Sequence, residues 1–256
     1  MSTTPPTRHD PARSTPQPDT LHSPRGGRPT RARPLITRGL MAVCGLSFLL
    51  GPASGFFPAY GTGRDLWETQ SAYFHRWGLV PHELWNGHQP ETLLTPLSAL
   101  FLHGNWIHLL GNLLFLSVFG GLVEQRLGRW RFLACYLTVG CCTMLSYAAV
   151  YPDSTQTLVG ASGSISGVLG VFLWLFPRHR VTSVFPFLLF LPLRFPAWMV
   201  LVFWVVLQSL AVRADSQAPG VAYLTHVIGF ALGLAYAVVF RRRHPEAPPE
   251  PGPGGR

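Results

Sequence analysis

Six long apolar runs, parted by polar or arginine-bearing segments, limit what this chain can fold into. A helix needs about 20 apolar residues to cross ~30 Å of hydrocarbon. In that solvent each backbone N–H and C=O must be satisfied within the protein. The pattern therefore predicts an all-α, polytopic membrane protein, a bundle of six transmembrane helices. The runs lie at residues 35–57, 97–119, 131–151, 162–176, 184–212 and 221–240. The fourth is short, and the fifth is interrupted by Pro192 and Pro196. Composition agrees: 12% of residues are charged, against about 25% in soluble domains.

The ends differ from the middle. Residues 1–34 are rich in Pro, Arg, Ser and Thr and lack the apolar core of a cleaved signal. They are expected to form a disordered cytoplasmic tail, followed by a six-span domain over 35–243. Residues 244–256 make a second disordered tail by the same argument.

The formal charge of +9 comes entirely from arginine. No basic stripe interleaves with exposed aromatics, so nucleic acid is not an expected partner; the lipid bilayer is. With the N-terminus in the cytoplasm, all but three of the 20 basic residues fall on the inner side. The exceptions are Arg64, Arg76 and Arg213. The asymmetry predicts a multi-pass protein of the cell (inner) membrane with both termini cytoplasmic. The cysteines, Cys44, Cys135, Cys141 and Cys142, all lie in apolar runs without C-x-x-C spacing. They are read as small buried residues, and no disulfide, metal or other cofactor is expected.

Ionisable groups within spans are costly and are functional candidates. The short list drawn here is His103, His108 and His226, together with Asn112. No carboxylate lies mid-span, which argues against a cation-coupled transporter and leaves any hydrolase with a Ser–His pair. The fourth span, roughly 22 Å long at 1.5 Å per residue, is too short to cross. Its N-terminal end, Gly160-Ala161-Ser162-Gly163, should therefore sit below the outer surface. His108 is expected roughly 15 Å along the second span, and His226 roughly 7–8 Å down the sixth. Three helices thus bring polar groups to one level.

Chemistry follows from that meeting. Ser162 at a helix N-terminus lies near free N–H groups, where a developing oxyanion is stabilised. His108 and Asn112, four apart, share a face and can both donate towards it. His226 is positioned to take the Ser162 proton. Gly163, Gly167 and Gly170 on the fourth span, and Gly229 and Gly233 on the sixth, allow close approach of the two helices. Each feature alone has a plainer reading: the glycines as packing, His108 as a packing histidine, His103 as facing loop or cavity. Ser164 and Ser166 are rival nucleophiles, and Glu124 with Arg126 reads as a loop-stabilising pair.

Together the segments H-G-N-W-I-H-L-L-G-N (103–112), V-E-Q-R-L-G (123–128), G-A-S-G (160–163) and H-V-I-G-F-A-L-G (226–233) resemble the rhomboid family of intramembrane serine proteases. The likeness runs over about 95–240. It implies Ser162 as nucleophile, His226 as general base, and His108 and Asn112 as oxyanion donors, without a metal. It also implies transmembrane protein substrates cut near their outer ends; it carries no signal for oligomeric state. Some members place an aromatic four residues after the nucleophile, against the histidine. Here that position is Ser166, so His226 should be held differently. A non-catalytic relative that only binds clients should lack the serine or the histidine, and this chain has both.

Overall fold

The computed structural model describes residues 33–87, 89–184, 192–214 and 223–243. Of the predicted tails, only Arg33 and Pro34 fall among them. Helix α1 (Leu35–Leu50) stops at Gly51-Pro52 and passes through short 3-10 turns into α2 (Gly63–Trp77) and α3 (Pro81–Asn86). It is shorter than the run 35–57 because Pro52 lacks an N–H and disfavours helix in the residue before it.

The second span begins at Trp106, not near 97. Residues Thr95–Ser98 form a separate short helix, α4, followed by a 3-10 turn. Asn105 then opens the long helix: its backbone is extended and its side chain accepts the His108 N–H at 2.9 Å. A side-chain cap of this kind satisfies one of the free donors of a first turn. Helix α5 (Trp106–Phe115) continues through a π turn (Leu116–Gly120) into α6 (Gly121–Leu127), giving one largely apolar rod of 22 residues. Gly128, at φ 84°, reverses the chain in a conformation that favours glycine. Helix α7 (Arg129–Val150) follows, then α8 (Ser162–Leu175).

The fifth run departs most from expectation. Arg180–Val184 (β1) and Pro192–Pro196 (β2) pair antiparallel, with Thr182 opposite Arg194. Helix α9 spans Ala197–Ala214, so both prolines precede it and neither kinks it. Helix α10 (Tyr223–Arg243) closes the bundle. The apolar helices α1, α5–α6, α7, α8, α9 and α10 match the six predicted spans in order.

Helix α8 is the centre. Every residue from Gly163 to Phe172 is buried, as befits a helix that is apolar all round. Its contact with α10 is backbone on backbone. A Cβ at Gly233 would run into the Gly167 carbonyl, and one at Gly170 would lie 2.8 Å from the Leu234 nitrogen. Lipid gives helices little hydrophobic reason to associate, so such close packing is what holds them. Outward faces are apolar: Ile107, Leu110, Leu114 and Val118 on the α5–α6 rod, and Phe203, Val206 and Leu210 on α9, are exposed. In water such stripes would be a liability; against lipid they are the expected surface.

At the far end from Ser162, the Glu124 carboxylate reaches across to α1. It accepts from Ile36 N (3.0 Å), Thr37 N (2.8 Å) and Thr37 Oγ1 (2.7 Å) while only 2% exposed. This is an acidic cap on another helix's N-terminus, where negative charge is favoured, rather than a group serving its own loop. Arg126 and Arg131 lie over the Phe240 ring, each 5.9 Å from its centroid.

Candidate active site

Ser162 is the first residue of α8, and the chain before it is tied down from both sides. Leu158 exchanges two backbone hydrogen bonds with Leu79, at 2.8 and 3.0 Å. Gly160 N donates to Ala99 O at 2.8 Å. Gly160 itself is at φ 124°, a region costly for any residue with a Cβ. A Cβ there would also lie 2.7 Å from both Cε1 and Nε2 of His108. The glycine two before Ser162 is thus required twice, by its backbone and by the imidazole against it.

A cavity of about 600 Å³ surrounds this point, lined by Ser162, His108, Asn112, Trp204, Gln208 and His226 among others. All the residues singled out as nucleophile, base and oxyanion donors line it. His108 lies in the first turn of α5, not about ten residues down a span, because the helix starts at Trp106. Asn112 is one turn deeper, and its Nδ2 has no hydrogen-bond partner among the described residues. A buried amide donor without a partner is costly, and here it belongs to a cavity where a developing negative charge could be received.

Ser166 also lines the cavity, but the other two serines differ from Ser162 in burial and partner. Ser166 is 1% exposed, and its Oγ donates to Ser162 O at 2.7 Å. Ser164 is fully buried on the side facing Gly140, away from the cavity. His103 is 2% exposed and lies behind His108, with ring centroids 5.1 Å apart in an edge-to-face arrangement. It is not among the residues that line the cavity.

His226 is held from α9. Its Nδ1 is 2.8 Å from Gln208 Oε1, and the Trp204 ring lies 5.9 Å away, tilted by 35°. Tyr223, on its own helix, meets it edge-on at 6.4 Å. Among the described residues no hydrogen bond joins Ser162 Oγ to His226; catalytic hydrogen bonds are often loose before substrate is bound. Reading only ionisable groups passes over Gln208. The available signal was an amide in an apolar run, four residues after a tryptophan.

A family model of the rhomboid domain matches residues 90–243. Among curated proteins, the chain is 32% identical over 148 residues to the "Putative rhomboid protease YdcA" of Bacillus subtilis, covering 57% of this chain and 64% of that protein. It is 27% identical over 154 residues to "Rhomboid-type serine protease 2" of Emericella nidulans, covering 60% and 28%. Against "Rhomboid-like protein 11, chloroplastic" of Arabidopsis thaliana it is 39% identical over 75 residues, covering 29% and 26%. The alignments therefore span less than two thirds of each of these relatives. With more than half of its length matched by the family model, this membrane bundle belongs to the rhomboid family.

Proposed function

We propose that the chain is an intramembrane serine endopeptidase that cuts transmembrane segments of other membrane proteins near their outer ends. The observation that carries this reading is the meeting of Ser162, His226, His108 and Asn112 on one cavity at the N-terminus of a helix too short to cross the bilayer. Ser162 Oγ attacks the scissile carbonyl while His226 takes its proton. The tetrahedral oxyanion is received by the Ser162 N–H, the Asn112 amide and His108. His226 then protonates the leaving amine, giving an acyl-enzyme. Water, deprotonated by His226, hydrolyses the ester and restores Ser162. In this scheme the histidine has no carboxylate behind it, and no described residue lining the cavity is acidic.

The arginine asymmetry supports cytoplasmic termini in a cell membrane, with the cavity towards the outside. Two relatives carry the words "chloroplastic" and "mitochondrial" in their names; the placement proposed for this chain rests on its own sequence, and its orientation on the charge pattern.

The test is cleavage in proteoliposomes carrying a single-span substrate, with the new terminus located by mass spectrometry. Wild type is expected to cut within the outer third of the span. Ser162→Ala and His226→Ala should each fall by at least about 10³-fold, as removal of a nucleophile or base does in serine hydrolases. Undiminished cleavage by Ser162→Ala would overturn the proposal.

A further inference from the structure

Polar side chains in an apolar helix usually find a partner near at hand, often on their own backbone, as Ser209 Oγ does on Val205 O at 2.8 Å. Gln208, its neighbour, does not. It crosses to α10, with Oε1 2.8 Å from His226 Nδ1. One turn earlier on α9, Trp204 covers the same imidazole, and both residues line the cavity that holds Ser162. A neutral imidazole carries one proton on one of two nitrogens, and the partner of one nitrogen decides the state of the other. A carbonyl oxygen can only accept, so this contact requires the proton on Nδ1. The opposite amide orientation would place an N–H on Nδ1 and drive the proton to Nε2, where it would block a base.

We infer that Gln208 is the positioning residue of His226: its side-chain carbonyl accepts the Nδ1 proton, fixing the ring and leaving Nε2 unprotonated for Ser162. The inference rests on the proposed role of His226 as base. Gln208 touches no reacting atom. It does for the imidazole what a buried carboxylate does in a three-member hydrolase site, but without a charge to bury in the membrane. It also ties the base to α9, since Trp204 and Gln208 hold the ring together from one helix face.

The full-length protein in detergent, with 15N-labelled histidine, provides the test, alongside kcat and KM on a single-span substrate. His226 signals are identified by their loss in His226→Ala. In wild type, Nδ1 should be the protonated nitrogen and Nε2 the bare one. Gln208→Leu should give mixed tautomers and lower kcat by about 10- to 100-fold, part of what a general base contributes, with KM unchanged. Gln208→Glu, which keeps the accepting oxygen, should restore both the Nδ1–H signal and most of kcat. A role confined to gluing α9 to α10 would not give that split or that rescue. A wild type protonated on Nε2, or Gln208→Leu at wild-type kcat with unchanged His226 signals, overturns the inference. Cleavage indifferent to Ser162→Ala overturns the protease reading beneath it, a result separable from any effect at Gln208.

Discussion

Ser162, Ser164 and Ser166 lie within five residues of sequence but in three environments. Ser162 opens α8 on the cavity, Ser164 is sealed against α7, and the Ser166 hydroxyl is engaged by the Ser162 carbonyl. The spacing alone left all three open, although the place of Ser162 at the start of the short run favoured it. We expect Ser164→Ala and Ser166→Ala to keep kcat within about twofold, as positions that touch no reacting atom should. Asn112→Ala should lower kcat by about 10²–10³-fold with little change in KM, the usual cost of one oxyanion donor. Steady-state cleavage of a fluorogenic single-span peptide would measure both, and loss of activity in Ser164→Ala equal to that in Asn112→Ala would contradict this sorting. His108 and Asn112 were legible as a pair because i, i+4 spacing survives an error in where the helix begins. The depth of His108 was not legible, since the apolar run continues through Thr95–Phe101, and only the Asn105 cap and the turn before it show that the long helix starts later.

Among elements, α8 was read to within a residue of its observed ends because Gly160 and Pro177 punctuate it. The fifth span was placed within 184–212 with an irregular start at its prolines, but hydropathy did not show that this start is a strand paired with Arg180–Val184. Its prolines stand at the two ends of β2, where a missing N–H is best tolerated in a two-stranded pair. The α8–α10 contact was foreseen from glycine spacing, and its closeness yields a graded prediction. A side chain at Gly233 would overlap the Gly167 backbone, which cannot swing aside. Gly233→Leu should destabilise the bundle by at least the 1–3 kcal/mol typical of overpacking. Gly45→Leu on α1, where nothing lies within 4 Å of the added Cβ, should shift stability by no more than about 0.5 kcal/mol. Thermal unfolding in detergent compares the two, and equal losses would contradict the packing account.

At the scale of the whole molecule, six apolar helices and the motif order were readable because hydrocarbon imposes long uniform segments and makes each polar exception conspicuous. The tie from Glu124 to the start of α1 was not readable, being a contact across 87 positions of sequence that no local pattern encodes. Nor was the hold of α9 on His226, although the absence of an aromatic at Ser166 implied some other support for the ring. The first links helices distant in sequence and the second links two consecutive helices, α9 and α10. The central claim is that this scaffold activates one serine. The most direct measurement is labelling of the detergent-solubilised protein by a fluorescent fluorophosphonate, in wild type, Ser162→Ala and His226→Ala. Label on wild type that is lost in both variants is the predicted result. A folded wild type that takes no label, or label that persists in Ser162→Ala, would contradict it.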